Sequence, residues 1–166
     1  MQTKCVVIGD AGPGGQHANT LKMMGGMDCG PIIGSSKALL CAAITAAPDS
    51  KVQAKFYSGG ESGELFMHEG APFKGAGTTI ESFPGDYINA MAICDETNRL
   101  YVGLSSKKIC VYDAQTQEKL CELENAHSKG IYGLAIAPSS VEASFVTCSA
   151  DNTIKSWKYV EESKSL

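Results

Sequence analysis

The chain has 166 residues, 43% of them apolar and 19% charged, which suits one ordinary globular domain and excludes a disordered chain. Its net charge of −4 argues against a nucleic-acid binder, which is usually basic with clustered Lys and Arg. No apolar run approaches the roughly 18 residues of a membrane-spanning helix, so none is expected.

The first element in chain order is "VVIGDAGPGGQH", residues 6–17, a β-type run entering a glycine-rich loop. A phosphate-binding loop needs Lys and Ser or Thr after its last glycine. Here Gly9 and Gly14 have that spacing, but Gly15 and Gln16 follow. The dinucleotide fingerprint fits Gly12 and Gly14 and then fails at His17. GxSxG and HExxH are absent too, so the chain reads as non-enzymatic, with no catalytic residue, cofactor or metal site. The loop reads instead as turn chemistry between two antiparallel strands. With "HANTLKM" and "CGPIIGSS" it makes residues 1–36 an incomplete repeat.

Three fuller repeats follow, over 37–83, 84–127 and 128–166. Their first three runs lie in "ALLCAAITAAPDSKVQAKFYSGGESGELFMHEG", "INAMAICDETNRLYVGLSSKKICVYDA" and "IYGLAIAPSSVEASFVTCSADNTIKSWKY". A fourth run closes the first two repeats, in "FKGAGTTIESF" and "EKLCELENAH", and is missing from the third. "SKALLCAAITAA" has helical propensity, yet the repeat register makes it a strand. His68, Tyr112 and Trp157 occupy matching places in the third runs, 44 and 45 residues apart. The tail "VEESKSL" is polar and is expected to be loose.

Four short strands in a period of about 40–45 residues resemble WD40 propeller blades. The fold class is therefore all-β, with blades of four antiparallel strands and about three and a half blades in the chain. The third repeat carries the set that the resemblance implies: His127 before the first strand, Thr147 in the second, Asp151 in the following turn and Trp157 in the third. In WD40 blades such residues form a hydrogen-bonded chain from Trp through Thr and His to Asp. The other two repeats lack it, with Ser62 and Ser106 at the aspartate position, and are expected to be held by strand pairing and packing alone.

Propellers close with four to eight blades. Three and a half imply either a fragment of a longer protein or a ring completed by self-association.

Seven cysteines occur, with no CxxC pair to suggest a zinc ribbon or a redox motif. Most lie in apolar runs such as "LLCAAI" and "FVTCSA" and read as small buried hydrophobes. Their odd number, with no secretory leader legible, points to a reducing, cytosolic setting.

"HEGAPFKGAGTTIESFPGDYINAM", with the glycine-rich hairpin before it and "AHSKGIYGLAIAPSS" after it, resembles the actin-interacting protein 1 family of WD40 proteins. The resemblance implies a cytoplasmic, cytoskeleton-associated scaffold, with actin and cofilin as partners and filament disassembly as the role. It also implies contact residues at Glu61, in the loop after a second strand, and Tyr87, entering the next blade. Two further family positions depart: an acidic one becomes Pro13 and an aromatic one becomes Gly75. The alternative reading is a WD40 platform for other protein or peptide partners in a multiprotein complex, because one fold serves many functions.

Overall fold

A computed structural model describes residues 37–45, 55–69, 77–137 and 144–166. The incomplete repeat at 1–36 lies outside them, as do Pro13 and Gly75. The described strands form three antiparallel sheets, each built by consecutive hairpins.

The first sheet holds β1 (Leu39–Ile44), β2 (Lys55–Gly60), β3 (Glu64–Glu69) and β4 (Thr78–Ser82), in that order. The second holds β5 (Ile88–Cys94), β6 (Arg99–Leu104), β7 (Ile109–Asp113) and β8 (Lys119–Leu123). The third holds β9 (Ile131–Ile136), β10 (Phe145–Ser149) and β11 (Ile154–Trp157). The "LLCAAI" run is strand β1, as the repeat register requires and its alanines do not. Cross-strand pairing and packing overrode propensity there. The turns use residues that tolerate the left-handed region, including Asn98 (φ 52°) and Asn152 (φ 64°).

Each first strand carries the same register shift near its start, between Leu39 and Cys41, between Ile88 and Ala90, and opposite Cys148 and Ser149 in the third sheet. One extra residue bends the strand and sharpens its twist. In the second and third sheets the residue just before the bulge reaches the preceding sheet. A Cβ added to Gly59 would lie 2.8 Å from Ile88 Cγ2, and one added to Gly103 would lie 2.8 Å from Ile131 Cγ2. The second strand thus keeps a glycine where the next sheet's leading isoleucine presses in.

Two apolar clusters fill the seams. Between the first and second sheets lie Tyr57, Leu65, Ile88, Leu100 and Tyr112, all buried. Between the second and third lie Tyr101, Ile109, Val111, Ile131 and Phe145, with the Tyr101 and Phe145 rings 4.3 Å apart. Tyr57 also donates its phenol proton across the first seam to the Ala114 carbonyl at 2.6 Å.

Two expectations need correction. The tail does not hang loose: Tyr159 and Leu166 pack against the second cluster, and Glu161 pairs with Arg99 of β6. Its polar composition hid an anchoring leucine, and the aromatic Tyr159 stands just before it. Nor are all the described cysteines in apolar runs buried. Cys110 is buried, and burial pushes its thiol, like that of half-buried Cys41, up to about 12. Cys148, however, is exposed. It stands at the place of Gly59 and Gly103, 45 residues past the latter, with its sulfur lying over Gly133.

Candidate functional site

The connector from β8 to β9 carries His127, whose ring is fully buried. Trp157 Nε1 donates to Thr147 Oγ1 at 2.8 Å. The same hydroxyl lies 2.8 Å from His127 Nε2, and His127 Nδ1 lies 3.0 Å from Asp151 Oδ2. Proton directions follow from the donors. The indole only donates and the Asp151 carboxylate only accepts, so Nδ1 carries the proton that it gives to Asp151, which leaves Nε2 to accept from the Thr147 hydroxyl. The structure therefore brings His127, Thr147, Asp151 and Trp157 into one chain that ties the connector to both β10 and β11.

Asp151 is satisfied from several directions. Oδ1 accepts from the Thr153 hydroxyl at 2.6 Å and the Thr153 N–H at 3.0 Å, while Oδ2 accepts from the Ser128 N–H at 3.0 Å. The Thr153 hydroxyl, the Ser128 N–H and His127 hold its carboxyl well below the usual carboxylate range. A His–Asp pair invites a catalytic reading. Both ring nitrogens are engaged inside the protein, however, so this histidine has none left for a substrate. Sequence reasoning missed Thr153 and Ser128. The signal for Thr153 was local, since an Asp two residues before a Thr in a tight turn commonly accepts from that backbone.

The second blade is not held by strand pairing and packing alone, which corrects the expectation from sequence. Asp86, in the β4–β5 connector, accepts from the Ser105 hydroxyl, from the Ser106 N–H at 2.9 Å and from the Tyr87 N–H at 2.8 Å. The roles are reversed relative to the third blade: the connector supplies the carboxylate and the turn supplies the donors. Tyr112, at the tryptophan position, gives its phenol proton to Glu81 of the neighbouring blade. Lys119 joins Glu81 at 2.6 Å and Glu122 at 2.8 Å. Burial alone would lower the Lys119 ammonium, but these two carboxylates outweigh it and hold it raised. In the first blade, buried His68 and Ser58 stand at the Trp157 and Thr147 positions, and His68 Nε2 and Ser58 Oγ have no partner among the described residues. Burial holds the His68 imidazole below its ordinary value.

Glu61 is exposed in the β2–β3 turn, its N–H bonded to the Ala38 carbonyl at 2.9 Å. Tyr87 is 47% exposed just before β5. The Phe83 N–H donates to the Gly63 carbonyl at 2.8 Å, which holds the β4–β5 connector against the turn carrying Glu61. Both side chains therefore sit at the same end of the blades. The Asp86 network fixes the backbone under Tyr87, whose carbonyl accepts from the Ser105 N–H at 2.9 Å. Such a rim of fixed turns can present side chains to another protein. Among the described residues no group of three His, Cys, Asp or Glu side chains is placed to hold a metal ion, and no helix is long and apolar enough to cross a membrane.

Three antiparallel sheets joined through buried seams, with a Trp–Thr–His–Asp chain in the third, are the blade architecture of WD40-repeat proteins, a class of protein-interaction scaffolds. Residues 118–158 match the family model described as WD domain, G-beta repeat. The chain is also similar to WD repeat-containing protein 1, at 30% identity over 105 residues for the Bos taurus protein, covering 62% of this chain and 17% of that one. The Mus musculus protein is 32% identical over 91 residues, covering 54% of this chain and 14% of that one. The chain thus spans less than a fifth of the length of these relatives. The solved structure of U3-55K superposes with a TM-score of 0.61 at 23% identity, covering 78% of this chain and 36% of that one, which speaks for the fold alone.

Proposed function

We propose that this chain is a non-enzymatic scaffold of the actin-interacting type, acting with cofilin in actin filament disassembly in the cytoplasm. The observation that carries the reading is the shared, exposed rim holding Glu61 and Tyr87, the two contact positions that the family resemblance assigns. The partial similarity to WD repeat-containing protein 1 supports it. Interfaces rest on a few anchors, often aromatic, and Tyr87 with Glu61 supplies one aromatic and one acidic anchor on the same rim. Cosedimentation with actin filaments, with and without cofilin, tests it. Pelleting that requires cofilin and falls at least tenfold in affinity for Tyr87→Ala with Glu61→Lys is the expected result. No pelleting under either condition overturns it.

A second reading, a platform for other protein or peptide partners, is favoured by Pro13 and Gly75, which stand where the family has an acidic and an aromatic residue. Under that reading affinity capture recovers a reproducible set of other proteins and neither actin nor cofilin. Neither reading uses nucleic acid or membrane. Self-association to complete a ring is compatible with both.

A further inference from the structure

Residues 158–166 fold back as a strap across the outer seam of the second and third blades. Val160 and Ser165 form an antiparallel bridge, with the Val160 N–H on the Ser165 carbonyl at 2.9 Å. The Tyr159 N–H donates to Ser144 Oγ at 3.0 Å, and Tyr159 and Leu166 pack against the apolar cluster of that seam. At the centre lies Arg99, whose side chain is only 14% exposed. It donates to the Thr97 carbonyl at 2.8 Å, meets Asp113 at 3.6 Å and Glu161 closer still, and lies over the Tyr159 ring at 5.5 Å.

The fit is incomplete. Arg99 Nε and Tyr159 Oη are both buried and have no partner among the described residues. A guanidinium takes a carboxylate best through two parallel N–H groups, and Nε–H with a neighbouring NH2 is one such fork. Glu161 engages Arg99 through NH2 alone. The strap holds its place through tethering, since a linked segment acts at an effective concentration on the order of millimolar. A separate segment with a better placed carboxylate would fill the Nε position that the strap leaves open.

We propose that the notch around Arg99 is a peptide-binding site occupied in cis by the strap. Its partner is an acidic protein segment with an aromatic residue two positions before a carboxylate, the order of Tyr159 and Glu161. The site is independent of the rim that carries Glu61 and Tyr87, so neither proposal falls with the other.

The test uses the full chain and a fluorescent peptide copying residues 158–163. Glu161 is 60% exposed, so Glu161→Lys releases the strap while sparing the core. Anisotropy is expected to show the peptide binding the Glu161→Lys chain at least tenfold more tightly than wild type, because the cis competitor is gone. Adding Arg99→Glu is expected to abolish that binding. Because Arg99 is largely buried, a second arm leaves the protein unchanged: a peptide with Lys in place of its first glutamate must fail to bind the Glu161→Lys chain. Equal affinity of wild type and Glu161→Lys, or equal binding of the two peptides, overturns the proposal.

Discussion

Thr147 is the hinge of the buried network, because its one hydroxyl accepts from Trp157 and donates to His127. Thr147→Val keeps the shape and leaves both partners unsatisfied in a site that is 1% exposed. Each orphaned buried group costs about 1–3 kcal/mol, so a loss of about 2–6 kcal/mol is expected from the urea midpoint at constant slope. The four network residues were legible from sequence through the resemblance to WD40 blades, which implies such a set at these positions. The devices of the other two blades were not. Asp86 and Ser105 perform the same tying with connector and turn exchanged, and Glu81 reaches Tyr112 from a different blade. The Tyr112–Glu81 pairing leaves no spacing signature, since it depends on how two repeats stack, and the Asp86–Ser105 pairing lies within one repeat but uses an Asp–Ser pair rather than the His–Asp pair that the resemblance implies.

At the scale of the strand, the repeat period found every described strand, including β1 against its helical propensity. The period did not reveal why some positions are glycine. Gly59 and Gly103 look like ordinary strand glycines until the neighbouring isoleucine is seen against them. Gly103→Ala places a methyl group 2.8 Å from Ile131 Cγ2, closer than carbon atoms sit without something shifting. Overpacking of this kind costs about 1–3 kcal/mol. Ile131→Ala alone leaves a cavity at a fully buried site and costs about 2–5 kcal/mol. In the double variant the smaller residue makes room for the added methyl, so the two losses should sum to more than the measured one. A thermodynamic cycle from thermal or urea unfolding checks this, and strict additivity would mean that the two side chains do not press on each other. Cys148 occupies the equivalent place in the third blade, and its sulfur lies over Gly133, a place held in the other blades by Cys41 and Ala90. The thiol has moved from one strand of the cross-strand pair to the other.

At the scale of the molecule, each blade offers one face to the blade before it and one to the blade after. Ile109 points from the second blade into the seam with the third and is fully buried. By strand register Ile154 is its counterpart in the third blade, since Ile109 pairs with Gly103 and Ile154 with Cys148. Ile154 is 77% exposed. Burying an isoleucine side chain is worth about 1.5–3 kcal/mol, and here that gain is unused. The two positions should therefore respond in opposite ways to the same change. Ile109→Lys buries a charge in a dry seam and should prevent folding. Ile154→Lys should leave the urea midpoint within about 0.5 kcal/mol of wild type, as for ordinary surface positions. It should also lower any concentration-dependent rise in light-scattering mass, because an exposed isoleucine on a sheet face invites association. An unfolding cost at Ile154 as large as that of a core change would mean that this face is covered within the folded chain.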